Sequence, residues 1–288
     1  VKINDNTAGS VYKYCTRKLL EKYHPNEARI IAEELFSAFH GMSAAKLIAY
    51  AQSRMSESEI LKYHFAIKNI LGGMPLQYAV GRAHFYNRIF TVSPEVLIPR
   101  PETEELCEYI LRQHSSQTPL QVLDACTGSG CIAITLAAEN PNFQLSAFDI
   151  SESALAIATY NAEKLQTKIH FFKADALNTS RILRLNLDVL VTNPPYVLHS
   201  ELETLDKNVS TFEPHLALFV PDHDPLLFYK HLSDYALINL KQHGCFYAEI
   251  HEKYGPDIAE LLVQKGFEKV QIHQDLSGKN RFVSGVKI

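Results

Sequence analysis

The chain has 288 residues, enough for one large domain or two, and its 46% hydrophobic and 21% charged side chains match an ordinary soluble globular protein. No run approaches the roughly 20 apolar residues of a membrane span, and the polar stretch Val1–Ser10 lacks the apolar core of a secretory signal, so a cytoplasmic protein with no membrane partner is expected. A net charge of −4 weighs against a protein that grips duplex DNA, and no direct nucleic-acid binding is expected.

Cysteine use agrees with a reducing compartment. Cys15, Cys107, Cys126, Cys131 and Cys245 are scattered, with no C-x-x-C pair, and read as free thiols. The thirteen histidines form neither H-E-x-x-H nor a cysteine–histidine cluster, so no metal site is predicted.

Residues 1–73 read as a helical N-terminal domain. In Pro25–His40 the apolar positions Ala28, Ile31, Ala32, Leu35 and Phe36 recur at helical spacing, and a second run over Glu57–Leu71 puts Ile60, Tyr63, Ile67 and Ile70 on one face. Gly72-Gly73 ends it. This segment carries no catalytic constellation, which leaves packing or partner recognition as its role. Residues 74–99 read as a linker with a small hairpin, Ala83–Phe85 and Ile89–Val92, turned at Asn87. Ile98-Pro99-Arg100-Pro101-Glu102-Thr103-Glu104 follows, two prolines stiffening an extended approach to a helix.

From residue 100 to 288 the pattern alternates strand and helix. Candidate strands are Leu120–Ala125, Gln144–Asp149, Lys168–Lys173, Asp188–Thr192, Cys245–Ile250, Glu268–His273 and Arg281–Lys287, with helical patterns separating the first five. This predicts an α/β domain, a mostly parallel sheet covered by helices on both faces. The last two strands share a connection too short for a parallel crossover, so the final strand is expected antiparallel. Many methyltransferases have this arrangement.

Two segments carry the chemistry. The first is Val122–Ala133, an apolar strand, a small-residue turn and a helix start, where Gly128 and Gly130 let a backbone approach a ligand closely. Its G-S-G-C-I-A run also satisfies the dinucleotide fingerprint, and a simple strand-to-helix turn is the bland alternative. Asp124 separates the cofactors. Beside a pyrophosphate its carboxylate would cost roughly 4 kcal/mol at about 4 Å and an effective dielectric of about 20. Beside the ammonium and sulfonium of S-adenosylmethionine it attracts. Asp149 ends the second strand, placed to accept from two ribose hydroxyls, and Asp175 follows the third, placed to accept from an adenine amino group, with Ala176 and Leu177 walling the ring.

The second segment is Asn193-Pro194-Pro195-Tyr196, directly after the fourth strand. An amide-type nitrogen is a poor nucleophile with two N–H donors, and two fixed acceptors would orient it. The Asn193 side-chain oxygen and the Pro194 carbonyl are such acceptors. Neither proline offers a competing N–H, and Tyr196 can lie flat against a planar group.

The glycine turn together with Asn193–Tyr196 resembles the amino-methyltransferases with the signature [D/N]-P-P-[Y/F/W]. Ile98–Glu104 (I-P-R-P-E-T-E), Phe212–Leu218 (F-E-P-H-L-A-L) and Asp275–Arg281 (D-L-S-G-K-N-R) resemble the HemK/PrmC family over nearly the whole chain. The resemblance implies a Rossmann-like S-adenosylmethionine-dependent methyltransferase sheet behind a helical N-terminal domain. It implies methylation of the glutamine of a Gly-Gly-Gln motif in class 1 peptide chain release factors, with S-adenosylhomocysteine as product. Carried over by motif, Asp124, Thr127, Gly128, Ser129, Gly130, Asp149, Asp175 and Ala176 would hold the methyl donor, with Asn193 shared between both sites. Asn193, Pro194, Pro195 and Tyr196 would hold the glutamine, and Arg100, Glu102 and Thr103 would border the site. Glu213 and Arg281 are read as structural, in a buried ion pair. The family's first glycine in D-x-G-T-G-S-G is replaced here by Cys126, whose thiol the neighbouring acids should keep protonated. Two other functions compete: a DNA or RNA adenine-N6 methyltransferase, whose target amine offers the same donors but which needs a recognition region for the extruded base, and a non-catalytic module that senses S-adenosylmethionine.

Overall fold

The computed structural model describes residues 3, 5–115, 118–179, 182 and 184–288. Positions 1, 2 and 4 of the polar N-terminal stretch lie outside that set. The chain forms two compact units, one running to Arg82 with the addition of Asp206–Phe212, the other comprising Ala83–Leu205 and Glu213–Ile288. No helix among the described residues is long and apolar enough to cross a membrane.

The first unit is helical: α1 (Ala8–Leu19), α2 (Pro25–His40), α3 (Ala44–Ala49), α4 (Glu57–Leu71) and α5 (Leu76–Val80). Proline at the first turn of α2 costs no helical hydrogen bond, and Gly41 closes that helix at φ +62°. A reciprocal cap starts α4, in which Ser56 Oγ accepts from Glu59 N and Glu59 accepts from Ser56 N. The five apolar positions read on α2 are all buried and share one core with Val11, Leu19, Tyr63 and Ile67. Of the positions read on α4, Ile60 is only partly buried, and Ala66 takes its place in the core.

Strands β1 (Arg82–Phe85) and β2 (Arg88–Thr91) follow, then α6 (Pro101–Gln113), β3 (Leu120–Ala125), α7 (Cys131–Glu139), β4 (Phe143–Asp149), α8 (Glu152–Lys164), β5 (Ile169–Lys173) and β6 (Leu187–Thr192). Beyond them lie β7 (Val197–Leu198), α9 (Lys207–Phe212), β8 (Phe219–Val220), α10 (Leu227–Asn239), β9 (Leu240–Glu249), α11 (Gly255–Gln264), β10 (Phe267–Gln274) and β11 (Asn280–Lys287). The hairpin turns on two residues, Tyr86 and Asn87, both at positive φ, the backbone that a two-residue hairpin loop requires. Phe85 and Phe90 carry it onto the core built around Leu106, Ile110 and Val122.

The main sheet has the order β10-β11-β9-β6-β3-β4-β5. Strands β5, β4, β3, β6 and β9 run parallel, and β11 is antiparallel to both its neighbours. This is the expected sheet, with β11 as the reversed strand. One expectation fails and one element is new. Among the described residues no α-helix separates β5 from β6; instead Asp175 turns the chain immediately, its Oδ1 accepting from Leu177 N and its carbonyl from Asn178 N. The short parallel pair β7–β8 was not anticipated, because two-residue strands leave no periodicity.

Register decides where the strands end. Ala125 pairs with Phe148 on β4 and with Thr192 on β6, Asp149 with Lys173 on β5, and Thr192 with Ala248 on β9. Cys126, Asp149, Ala174, Asn193 and Glu249 therefore leave the sheet close to one level. The strand order reverses between β3 and β6, where α/β sheets open a crevice. Gly130 starts α7 at φ +81°, and a Cβ there would meet Ile134 Cδ1 at 3.0 Å and Ala158 Cβ at 3.1 Å. Gly130→Ala should thus destabilise the fold by about 2 kcal/mol, seen as a lower urea midpoint at unchanged slope.

Candidate active site

A cavity of about 350 Å³ lies outside the carboxyl ends of β3, β4, β5 and β6. Its floor is the turn after β3. Thr127 N donates to Phe148 O on the neighbouring strand, and Gly128 N donates to Asp149 Oδ2 at 2.9 Å. Gly128 sits at φ +53°, and a Cβ added there would have no atom within 4 Å. The positive φ and the open space beside it leave bare backbone facing the cavity at Gly128. Gly130 does not line the cavity; it is required for packing between α7 and α8.

Asp149 and Asp175 both border the cavity, as do Thr127, Ser129 and Ala176. Asp149 is held from two sides, Oδ2 by Gly128 N and Oδ1 by Ser151 N. Burial raises its pKa, against these two hydrogen bonds. Glu95 adds a third carboxylate to the lining, and among the described residues Arg100 is the only guanidinium there. Arg100 is already engaged, its Nη2 donating to Glu213 Oε1 at 2.6 Å. The cavity wall thus carries carboxylates in excess of available cations, which suits a cationic ligand.

Asp124 is placed differently from the sequence reading. It does not line the cavity and is fully buried. Its Oδ2 accepts from Thr127 Oγ1 at 2.6 Å and from Ala133 N at 3.2 Å, so the side chain ties the glycine turn to the first turn of α7. Among the described residues Oδ1 has no hydrogen-bond partner. The alternating pattern of a strand cannot show this, because β3 is buried on both faces from Val122 onward.

Cys126 takes the place of a glycine at φ +61°, a backbone that costs a side-chain-bearing residue roughly 1–2 kcal/mol. Its thiol borders the cavity, and its pKa is raised by burial first and by Asp149 and Asp124 next. The thiol is therefore protonated and a poor nucleophile.

On the other side of the crevice stand Asn193 and Pro195, both lining the cavity with Arg100 and Thr103. Pro194, Tyr196 and Glu102 do not line it. Asn193 Nδ2 donates to Thr103 Oγ1 at 3.4 Å, Thr103 Oγ1 donates to Glu249 Oε2 at 2.7 Å, and Tyr196 OH donates to Glu249 Oε1 at 3.0 Å. Glu249 was absent from the sequence reading. Its only signal was a carboxylate inside the apolar run of β9, one residue before the strand end proposed at Ile250.

Glu213 and Arg281 belong to separate ion pairs. Glu213 takes Arg100, and Arg281 Nε and Nη2 both donate to Asp275 Oδ2, at 3.0 and 2.9 Å. The first pair joins I-P-R-P-E-T-E to the F-E-P-H-L-A-L segment, whose Pro214, His215, Leu216 and Ala217 form one cavity wall. Those four and Phe228 were not named as site residues, since they border the cavity only through contacts between distant parts of the chain.

Two family models match the chain, a methyltransferase small domain over residues 106–212 and the PrmC N-terminal domain over residues 11–81. The release factor glutamine methyltransferase of Flavobacterium psychrophilum is 38% identical over 252 residues, spanning 86% of this chain and 88% of that protein. The protein of the same name from Bacillus subtilis is 37% identical, spanning 88% and 89%. The one from Bacteroides thetaiotaomicron is 35% identical, spanning 94% and 97%. Among solved structures, a methyltransferase from Pyrococcus furiosus aligns with TM-score 0.51 at 15% identity, over 76% of this chain and 96% of that one. A 16S rRNA methyltransferase of Thermus thermophilus in complex with AdoMet and guanosine gives 0.51 at 17% identity, over 72% and 50%. At these identities the two structures speak to the fold alone.

The buried Asp124 makes the glycine turn sensitive to pH. Burial raises its pKa from 3.8 to about 7, against the pull of Thr127 and Ala133. The folded state holds this proton more tightly than the unfolded chain. Its contribution to stability is therefore complete below the unfolded value and is lost as pH rises from about 4 to about 7. Asp124→Asn keeps an acceptor for both donors and removes the titration. Across denaturation curves from pH 5 to pH 8, stability of the native protein should fall relative to Asp124→Asn, with the gap levelling off above pH 7.

Proposed function

We infer that this chain, which belongs to the release factor glutamine methyltransferase family, transfers a methyl group from S-adenosylmethionine to the side-chain nitrogen of the glutamine in the Gly-Gly-Gln motif of class 1 peptide chain release factors. The observation that carries this reading is the pairing of a carboxylate-rich cavity over the glycine turn with Asn193 across the same crevice. S-adenosylmethionine supplies an electrophilic methyl group when bound.

The residues present fit that donor. Gly128 gives backbone access, Asp149 and Asp175 face the cavity as acceptors for hydroxyl and amino groups, and Ala176 and Leu177 offer an apolar wall. Thr127 and Ser129 complete the turn. Asp124 serves by holding the turn in shape. On the substrate side, Asn193 Oδ1 and the Pro194 carbonyl accept the two N–H groups of the target amide, which orients its nitrogen and raises its electron density. Pro195 seals the crevice. Tyr196 shapes it from behind, with its hydroxyl committed to Glu249. Charge disperses as a sulfonium gives up its methyl group, so alignment and exclusion of water contribute more than acid–base assistance.

The helical unit we assign to partner recognition, on residues 1–73, with residues 74–99 as the linker and 100–288 as the catalytic domain. The match of the PrmC N-terminal model to residues 11–81 supports a separate N-terminal unit, with its end nearer Arg82 than residue 73. The five cysteines are all free, which supports a cytoplasmic setting among the release factors themselves.

Purified protein, radiolabelled S-adenosylmethionine and a class 1 release factor test the reading directly. Label should enter the factor and fail to enter its Gly-Gly-Ala variant or duplex DNA; label on DNA would instead identify an adenine methyltransferase. Asn193→Ala should lower kcat by about 100-fold while the Kd for S-adenosylmethionine, measured by calorimetry, stays within about twofold of the native value.

A further inference from the structure

Asn193 can present either end of its amide to the cavity, and only one end suits an N–H substrate. An asparagine oxygen and nitrogen are nearly the same shape, so shape does not choose between them. The hydrogen-bond chain behind it does. Glu249 is fully buried at the end of β9, placed beside Asn193 by the pairing of Thr192 with Ala248. Burial raises the pKa of Glu249 and the hydroxyls of Thr103 and Tyr196 oppose that rise, each donating to one of its two oxygens; with both oxygens taken as acceptors, the single hydroxyl proton of Thr103 points at Glu249 Oε2, 2.7 Å away. That leaves Thr103 Oγ1 as an acceptor toward Asn193. The Asn193 atom facing it must then be the donor, Nδ2, at 3.4 Å, and Oδ1 is turned away from Thr103.

We propose that Glu249 and Thr103 are positioning residues that fix the polarity of the Asn193 amide, so that the crevice offers an acceptor to its substrate and accepts a primary amide while rejecting the isosteric carboxylate. The inference rests on the glutamine reading of this site. Glutamine brings one N–H donor to the Asn193 oxygen and a second to the Pro194 carbonyl. Glutamate brings only lone pairs, which would face the same oxygen unpaired. A site built to hydrogen-bond one partner rejects the analogue that lacks the donor far more strongly than an apolar pocket can.

The second oxygen of Glu249 does parallel work on Tyr196, accepting its hydroxyl proton at 3.0 Å. Both donors converge on one carboxylate, and a glutamine at position 249 could satisfy only one of them. The carboxylate is steadied by Tyr229 OH, which donates to the Glu249 main-chain carbonyl at 2.9 Å. Among the described residues no hydrogen bond runs from Thr103, Tyr196 or Glu249 to the glycine turn, whose own bonds go to Asp124, Phe148 and Asp149.

Three variants separate the relay from general packing: Thr103→Val, which keeps volume and loses the hydroxyl; Thr103→Ser, which keeps the hydroxyl; and Glu249→Gln. The first readout needs no substrate. In protein labelled with 15N-asparagine, the Asn193 side-chain NH2 signals, identified by their absence in Asn193→Ala, should shift in Thr103→Val and Glu249→Gln and return toward their native positions in Thr103→Ser. The second is kinetic. Thr103→Val and Glu249→Gln should lower kcat on the release factor by about tenfold or more, with the Kd for S-adenosylmethionine unchanged, and Thr103→Ser should recover most of the loss. The inhibition constant of a Gly-Gly-Glu release factor relative to the KM of the native factor should fall by about tenfold in Thr103→Val. Unchanged Asn193 signals and unchanged Gln-over-Glu discrimination in Thr103→Val would overturn the proposal. A native protein that methylates no release factor would overturn the glutamine reading instead, and the NMR comparison would still decide whether the relay sets the amide.

Discussion

The parallel pairing of β3 with β4 on one side and β6 on the other is the constraint from which the site follows. Ala125 is level with both Phe148 and Thr192, so three strands release their chains at one height with different residue types in hand. One releases a glycine turn, one an acid, one an asparagine. A slip of one residue in either pairing would turn the strand's side chains over to the opposite face and carry Asp149 or Asn193 away from the crevice. Large apolar residues make such a slip expensive, since Val122, Leu123, Val189, Leu190 and Val191 are all fully buried. The chemistry is placed by hydrophobic packing well below it.

Acidic groups are then used in four distinct ways. Asp149 borders the cavity with its two oxygens held by the backbone N–H groups of Gly128 and Ser151. Asp124 sits one layer deeper and holds loop to helix. Glu249, buried at the end of β9, orders the hydroxyls of Thr103 and Tyr196. Glu213 spends its charge on Arg100 and joins two distant segments into one wall. Buried carboxylates without such partners would be costly; each of these finds at least one donor.

Much of this was legible before any coordinates, and the reasons differ by element. Helices α2 and α4 announce themselves because one-sided burial imposes a period near 3.6 on their apolar residues. The central strands show as short apolar runs, and the motifs after them are local, so Gly128, Asp149, Asp175 and Asn193 could be named from neighbours in sequence. What stayed hidden is non-local or directional. Arg100 and Glu213 are joined across 113 positions, and Thr103 and Glu249 across 146. Neither spacing has a sequence signature. Asp124 was assigned to the ligand because a strand buried on both faces gives no clue to which way a polar side chain turns. Among the described residues the expected helix between β5 and β6 gives way to a turn at Asp175, which competes locally with helix formation.

Asn161 has a consequence of its own. Its side chain, fully buried on α8, accepts from Thr91 N at 2.7 Å and donates to Thr91 O and Ser129 O, both at 3.0 Å. One amide thereby clasps the end of the hairpin and the floor of the cavity together. The hairpin cannot peel away without stranding a buried donor and acceptor, so its opening is tied to loosening of the glycine turn. Whatever tightens around that turn must also quieten a strand that never touches it.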